Sequence, residues 1–419
     1  IYVHFDNMEN HFGYIILFVI FTFFYFSNDL IHIEGIIKPL YLVTSMLGLL
    51  PYSIKFEKSK NLYKVMRNSI YINSLCGISI VLIILSFLVL HLQEVIMHTE
   101  NVSMIKAIMT EMNYILELIN LFIFCVVAYV CAFLNRVKYV KVLNMLISTW
   151  FDFPKCVNSK KILRGLQFQV KIVTMVTLFI LTLLQVCINF SRQNTLWKMI
   201  LVTTTFILPQ TLQFITLALY YAFVMMVAAI LTNINEHCLE LAKEKRTPVS
   251  GFLEVKTKSI TLRQMELAYV KAFEIKTYIN EAFQGPILAS TIQCFHSVVS
   301  ESYIIYHGLV AGGILSTHDL VNCSMWIIYQ LLKVYILAYT GSFLKLKATI
   351  IGRTLHIIPT EKQDLRWLLE IQHFSSLISY QKIQMTVYEY FPLDATLIFN
   401  MLASAIMYLI ILVQFDKRE

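Results

Sequence analysis

The stretch YINSLCGISIVLIILSFLVLHL, residues 71–92, decides the fold of this chain, because its twenty-two residues include no acid, lysine or arginine. A helix needs about 20 predominantly apolar residues to cross the hydrocarbon core of a bilayer. Six further stretches are long and apolar enough, so the sequence predicts an all-α, polytopic membrane protein. The predicted transmembrane helices cover 71–92, 113–134, 171–190, 207–231, 287–312, 322–344 and 393–415.

The composition excludes most other classes of protein. Of the 419 residues, 58% are hydrophobic and only 14% are charged, whereas about a quarter are charged in a soluble domain. The apolar runs are continuous, and a membrane β-barrel needs alternating residues instead. The eight cysteines form no CxxC pair, and the chain has no Gly-rich phosphate loop, HExxH or GxSxG sequence. The sequence therefore predicts neither an enzyme nor a metal or cofactor site.

The basic residues lie mostly on one side of the predicted spans. The segments 27–70, 136–171, 243–276 and 345–382 contain 28 of the 34 lysines and arginines, and the segments on the opposite side contain five. Because cytoplasmic loops are enriched in Lys and Arg, this asymmetry predicts a cytoplasmic N-terminus and an extracellular C-terminus. It also accounts for the net charge of +8. We therefore expect membrane lipid as a partner and no nucleic acid.

The two ends of the chain are interpreted separately. The apolar stretch 13–26 is short for a span and fits a signal-like or interfacial segment, so residues 1–35 are left as an unassigned N-terminal extension. The spans form one domain, 36–415, and residues 416–419 are a predicted extracellular tail. Three N-x-S/T sequons begin at Asn101, Asn189 and Asn322, all on the predicted outer side. Asn101 is clear of the membrane and is the candidate glycosylation site.

The segment between the fourth and fifth spans predicts a cytoplasmic helical hairpin. Residues 207–245 read as one helix that is longer than the membrane is thick. Pro248 and Gly251 then indicate a turn. A second helix, 253–283, is predicted to run back and to end near Gly285 and Pro286. We expect this helical region beneath the membrane to make contacts between subunits.

The last span has a polar stripe along one face. The residues recur at steps of four and three, so they share one side of a helix: Asn400, Ser404, Met407, Ile411 and Gln414. Polar side chains are unfavourable against lipid, so this face should meet protein or water. Several copies around an axis would line a pore, with Ile411 as a hydrophobic constriction. The alternative is an ordinary helix inside a bundle.

The end of the chain resembles the insect gustatory receptor family. The sequence MYLIILVQF at 407–415 is similar to that family's C-terminal signature of Thr-Tyr, five apolar residues and Gln-Phe. The segments YFPLDATL, 390–397, and KPL through GLLP, 38–51, resemble its other characteristic regions, so the likeness covers about 36–415. Met407 departs from the pattern, because the family usually has Thr at that position.

The resemblance implies a tastant-gated, non-selective cation channel in the plasma membrane of a chemosensory neuron. It implies a homo- or hetero-tetramer with related receptor subunits, in which the last helix of each subunit lines the pore. Gln414 and Phe415 would lie at the extracellular gate, with Ile411 below them. The ligand would enter from outside, among the outer halves of the earlier spans, and the cytoplasmic hairpin would belong to the anchor region of the tetramer.

Candidate ligand contacts come from the outer halves of the spans. Aromatic rings stack on apolar ligand faces and amides orient hydroxyl groups, and the residues of these types are Trp197, Tyr303, Tyr306, His307, Trp326, Tyr329 and Gln330. Tyr and Trp at such depths also occur as interfacial belt residues, which is the alternative. Glu301 and Lys333 lie at equal predicted depth, so we expect an intramembrane charge pair that joins the fifth and sixth spans.

Three other classes of protein remain as alternatives. A heptahelical G-protein-coupled receptor requires an external N-terminus, which the charge asymmetry opposes. A secondary transporter usually has internal repeats and broken helices at the membrane midplane, and neither is evident here. An odorant-receptor-type channel subunit is nearer to the pattern, although Gln414 followed by Phe415 favours the gustatory type.

Overall fold

The computed structural model describes a nearly all-helical chain. It describes residues 40–41, 43–50, 53–57, 62–66, 70–99, 105–176, 195–244, 261–310, 316–358 and 365–416. The α-helices are α1 (Ile70–Thr99), α2 (Ile105–Leu134), α3 (Arg136–Asp152), α4 (Ser159–Lys171), α5 (Leu196–Val202), α6 (Leu208–Glu244), α7 (Leu262–Val310), α8 (Thr317–Leu355), α9 (Leu365–Tyr380) and α10 (Ala395–Asp416). Two π-helical segments, Ile172–Val176 and Thr203–Ile207, follow α4 and α5.

Five helical stretches in the described part of the chain are long and apolar enough to cross a membrane. They are Leu75–Ile96, Met112–Leu134, Leu196–Ala242, Thr317–Leu355 and Ala395–Gln414, and they correspond to the first, second, fourth, sixth and seventh predicted spans. Most of the predicted third span lies outside the described residues. The predicted fifth span is the C-terminal part of α7, where serine, glutamine and histidine interrupt the apolar sequence.

The helix α6 lies at the centre of the bundle. Its most apolar stretch is entirely buried, and it packs against α2, α7 and α8. Its observed bounds, Leu208–Glu244, agree with the single long helix predicted over 207–245. A helix that is apolar on every side is typical of such a central position. The neighbouring helices therefore turn their inward faces towards α6, and the polar residues on those faces meet there.

The helix α7 does not end near Gly285 and Pro286, as the sequence predicted. It begins at Leu262 and continues for 49 residues through both positions. Proline has no N–H to donate to the carbonyl four residues earlier, which here belongs to Ala282. The hydroxyl of Tyr139 donates a hydrogen bond to that carbonyl at 3.4 Å. A neighbouring helix thus satisfies the acceptor that the proline leaves open, and the helix continues.

Two short antiparallel hairpins complete the described fold. The strands β1 (Ser53–Glu57) and β2 (Leu62–Met66) pair with Ser53 opposite Met66. The strands β3 (Thr386–Val387) and β4 (Phe391–Pro392) pair directly before α10. The turn between β3 and β4 places Tyr388 and Glu389 at φ values of 46° and 62°, the left-handed conformation that tight hairpin turns require.

Candidate functional site

A buried carboxylate lies among three helices in the middle of the bundle. Glu117 of α2 accepts a hydrogen bond from the indole N–H of Trp326 at 2.8 Å and a second from the hydroxyl of Ser297. The same indole N–H lies 3.2 Å from the Ser297 oxygen. All three side chains are buried. Since a buried carboxylate is costly without donors, these contacts explain why α2, α7 and α8 meet at this point.

Glutamine side chains extend this network towards α6. The amides of Gln293 and Gln330 donate to the Ser297 hydroxyl at 3.1 and 3.4 Å. The side-chain amide of Gln213 donates to the Ser290 hydroxyl at 2.7 Å and to the side-chain oxygen of Gln293 at 3.1 Å. The groups form a connected set in which most donors have an acceptor inside the bundle. Such a network fixes the relative positions of the helices that contribute to it.

Lys333 of α8 supplies a positive charge to the same network. Its ammonium group donates to the side-chain oxygens of Gln210 and Gln213 at 2.7 and 2.5 Å. It also lies 4.6 Å from the centre of the Tyr329 ring, a cation–π distance. The Lys333 side chain is buried, and the charge of Glu117 acts on it. We call these groups the polar network, and its members are Glu117, Gln210, Gln213, Ser290, Gln293, Ser297, Trp326, Gln330 and Lys333.

These contacts correct the predicted pairing of Glu301 with Lys333. Trp326 lies opposite Ser297, and Gln330 contacts Cys294, so the two antiparallel helices place Lys333 still further towards the start of α7. Glu301 lies about one turn beyond Ser297 in the opposite direction. Equal distance from the predicted span ends did not give equal depth, because the two helices are offset along their axes. Lys333 is therefore stabilised by the glutamines of α6.

An aromatic column leads from the polar network to α1. The Trp326 and Phe206 rings have centroids 4.9 Å apart, and Phe206 stacks on Tyr114 at 6.0 Å. The Tyr114 hydroxyl lies 3.1 Å from Nε2 of His91, and Nδ1 of that ring lies 2.8 Å from the Thr205 hydroxyl. Four helical segments thus contribute neighbouring rings, with polar groups at both ends of the column.

The structure brings together three of the seven predicted ligand residues. Trp326 and Gln330 belong to the polar network, and Tyr329 packs beside Trp326 with ring centroids 5.6 Å apart. Two others, Tyr303 and His307, pair along α7 at 6.1 Å, and Tyr306 is half-buried on the same helix. Trp197 is exposed and lies apart from these groups, against Phe87 at 6.4 Å.

Sequence reasoning missed most of the polar network. Glu117 lies inside the predicted span 113–134, so the rule that selected Glu301 as an intramembrane charge would also have selected Glu117. Ser297, Gln213 and Gln293 carry no such signal, because single polar residues in apolar helices do not reveal which helices they join. The candidate glycosylation residue Asn101 lies outside the described residues.

The predicted stripe on the last helix is exposed along its length. Asn400, Ser404, Met407, Ile411 and Gln414 all have exposed side chains, with 63% of Met407 and 44% of Ile411 accessible. The buried residues of α10 are Leu397, Met401 and Ala405, which follow one another at steps of four. The helix therefore packs through one narrow face and leaves the polar stripe uncovered. Phe415 is within α10, but its side chain lies outside the described residues.

The start of α10 is held firmly against α8. At Gly341 a Cβ atom would lie only 1.7 Å from the carbonyl oxygen of Leu393, so the two backbones touch at a position that admits only glycine. Asp394 caps α10 by accepting hydrogen bonds from the hydroxyl and backbone N–H of Thr396 at 2.6 and 3.0 Å. Its carboxylate also lies 3.3 Å from the ammonium group of Lys345.

Comparison with known proteins extends over nearly the whole chain. Residues 37–419 match the family described as 7tm chemosensory receptor. Two solved structures of the insect olfactory receptor OR5 from Machilis hrabei, one in complex with eugenol, are similar in fold with TM-scores of 0.68 and 0.67. Each is 12% identical in sequence, and each match covers 92% of this chain and 99% of the other. No curated protein matches the sequence.

Proposed function

This chain belongs to the 7tm chemosensory receptor family, and we propose that it is a gustatory receptor that acts as a tastant-gated, non-selective cation channel. It is a membrane receptor and not an enzyme. In the proposed channel, four copies of the chain, or of this chain and related subunits, surround one pore. The observation that carries the proposal is the exposed polar stripe of α10.

The stripe supports a pore because lipid cannot satisfy its polar groups. Asn400, Ser404 and Gln414 project from a helix that is otherwise apolar, and hydrocarbon offers no hydrogen bonds to them. A water-filled pore formed by copies of α10 would hydrate these side chains. Ile411, one turn from Gln414, would then form a hydrophobic ring that closes by dewetting. The buried residues Leu397, Met401 and Ala405, on the face of α10 beside the stripe, attach the helix to its own subunit.

We place the ligand in the outer half of the bundle, near the aromatic column and the predicted contacts around Trp326. The solved relative in complex with eugenol supports a small organic molecule as the ligand class. A ligand changes the balance between closed and open states only by its difference in affinity for them. Binding near Trp326 would change the contacts of Glu117 and thereby the positions of three helices that pack around α6.

The proposed membrane arrangement keeps the orientation that the charges indicate. Seven spans would place the N-terminus in the cytoplasm and the C-terminus outside, in the plasma membrane of a chemosensory neuron. This orientation opposes a G-protein-coupled receptor. An odorant-receptor-type channel subunit is the second candidate, because the solved relatives are olfactory receptors. Gln414 followed by Phe415 favours the gustatory type, and Met407 is the departure from it.

The test is ligand-evoked current in cells that express only this chain, screened with sugars, bitter compounds and volatile odorants. We expect Gln414→Ala to change conductance or ion selectivity and to leave the order of effective ligands unchanged. Ile406→Ala is the matched control, because Ile406 is also exposed on α10 but lies on a different face from the stripe. Identical single-channel properties in the wild type and Gln414→Ala would contradict the proposed pore, and a response to odorants alone would favour the second candidate.

A further inference from the structure

An apolar groove of about 460 Å³ lies between α1 and α2. The α1 residues along it are Gly77, Ile78 and Leu82, and the α2 residues are Val126, Val130 and Phe133. Its volume is within the range of small-molecule sites. Its walls are almost entirely apolar, so they have few groups that could form hydrogen bonds with a bound molecule.

The back of the groove is closed by a close approach of the two helices. A Cβ atom at Gly77 would lie 2.9 Å from the ring of Tyr129, so this glycine lets the tyrosine cross behind the groove. The Tyr129 hydroxyl donates to the carbonyl of Leu47 at 2.8 Å, which fixes the ring. The front is open, because Ile78, Leu82 and Val130 are each about half exposed.

One end of the groove has a cation. Phe133 lines the groove, and the guanidinium carbon of Arg136 lies 4.8 Å from the centre of the Phe133 ring. Two lysines follow on α3, but Lys138 forms an ion pair with Glu281 at 2.8 Å and Lys141 contacts Tyr278. Arg136 is therefore the basic residue that the structure places beside the groove, where α2 ends and the basic segment 136–171 begins.

We propose that the groove is a binding site for one anionic phospholipid of the surrounding membrane. An acyl chain would lie along Ile78, Leu82 and Val130, and the phosphate would accept hydrogen bonds from Arg136. Two spanning helices form the groove, so its open side faces acyl chains, and an apolar wall has no chemistry to recognise a polar ligand. The guanidinium group of Arg136 at this end attracts anionic headgroups, which concentrate in the cytoplasmic leaflet.

The test uses the full-length protein in lipid nanodiscs that contain phosphatidylserine with a photoreactive group halfway along one acyl chain. After illumination, we expect the probe to be attached to peptides that contain 78–82 and 126–134. Val130→Trp fills the groove and should reduce this attachment at least fivefold. Ile123→Trp is the matched control, because Ile123 is equally exposed two turns earlier on α2 and does not line the groove.

The headgroup is tested with phosphatidylcholine that carries the same photoreactive chain. We expect phosphatidylcholine to attach several-fold less than phosphatidylserine. Arg136→Gln should reduce the attachment of phosphatidylserine to the level of phosphatidylcholine. Arg164→Gln, at an exposed position on α4, should have no effect. Equal attachment in the wild type and Val130→Trp would overturn the site. Equal attachment of the two lipids, or no effect of Arg136→Gln, would overturn the anionic headgroup.

Discussion

Polar side chains occur in two apolar regions of this molecule, and the two regions differ in whether these side chains are buried or exposed. In the polar network, Glu117 and Lys333 are buried, and Glu117 accepts a hydrogen bond from Trp326 while Lys333 donates one to Gln210. On α10, Asn400, Ser404 and Gln414 are exposed on a helix that is buried only along one narrow face. One region satisfies most of its polar groups within a single chain, and the other leaves them for water or for another chain.

The difference shows which part of the protein is held together by contacts within one chain. Helices α2, α6, α7 and α8 hold one another through the network, so contacts within one chain fix their relative positions. α10 is attached through Leu397, Met401 and Ala405 and through the contacts at its first turn. Substitutions should therefore have large effects on stability in the network, intermediate effects at the attachment of α10, and small effects on the stripe.

The largest effect is expected for Lys333→Met. The substitution removes the donor to Gln210 and Gln213 and a positive charge that acts on Glu117. Removing one partner from a buried charged set typically costs about 3–5 kcal/mol. Thermal unfolding of the purified protein, followed by fluorescence-detected size exclusion, measures the change.

Lys345→Met is the control for the lysine substitution. Lys345 lies on the same helix, but about half of its side chain is exposed, so its loss should cost at most about 1 kcal/mol. Similar melting temperatures for the two variants would mean that the network does not hold the four helices together.

Gly341→Ala should have the next largest effect. The new methyl group would overlap the carbonyl oxygen of Leu393, so the chain entering α10 must move, and overpacking of this kind costs about 1–3 kcal/mol. Gly352→Ala is the matched control on α8, because its nearest neighbour would be Ile378 at an ordinary 3.7 Å. That variant should be neutral or stabilised by up to about 1 kcal/mol. Destabilisation of both by the same amount would show that the loss does not come from the contact between Gly341 and Leu393.

Asp394→Ala should lower stability by about 1 kcal/mol, as loss of a helix N-cap generally does. The hydrogen bonds from Thr396, together with the nearby Lys345, hold the pKa of Asp394 below its usual value. A lowered pKa contributes stability above the pKa of the unfolded chain, near 4, and this contribution is lost as the pH falls through the folded value. The difference in melting temperature between wild type and variant should therefore be present at pH 7 and shrink below about pH 4. A difference that is independent of pH would indicate that the carboxylate charge is not involved.

The smallest effect on stability is expected for Asn400→Leu, on the exposed stripe. Surface substitutions of this kind usually change stability by less than about 0.5 kcal/mol, and leucine also favours a helix. Phe399→Leu, at an exposed neighbouring position off the stripe, provides the comparison. Melting temperatures measured at low protein concentration should be the same for both variants and the wild type. A clear loss of stability in Asn400→Leu alone would show that this residue has a partner within its own chain.

The sequence predicted best those features that depend on one helix at a time. Hydropathy was sufficient for α1 and for the long helix α6, whereas the exposed surface of α10 extends beyond the stripe to Phe399 and Ile406. Pro286 misled the prediction of α7, because the hydroxyl that satisfies the Ala282 carbonyl belongs to Tyr139, 143 residues away in the chain. Such a contact leaves no local pattern.

The polar network was difficult to predict for the same reason. The partners of Lys333 depend on how α8 is offset against α6 and α7, and the span ends gave the wrong offset. Trp326 and Gln330 were selected as aromatic and amide residues in an outer half of a span, yet Glu117, the partner of Trp326, lies 209 residues earlier, and Gln330 contacts Ser297 on another helix. Residue type indicated which side chains were unusual, and only the packing of the helices showed which of them meet.

The close contact between Gly341 and Leu393 fixes the point about which α10 can tilt. Gln414 lies about 30 Å along the helix from Asp394, and Asn400 only about 9 Å. A tilt of about 10° about that point would displace Gln414 by about 5 Å and Asn400 by about 1.6 Å, because the displacement grows with distance along the helix. The same rotation therefore changes the spacing between neighbouring copies of α10 most at Gln414 and least at the first turn.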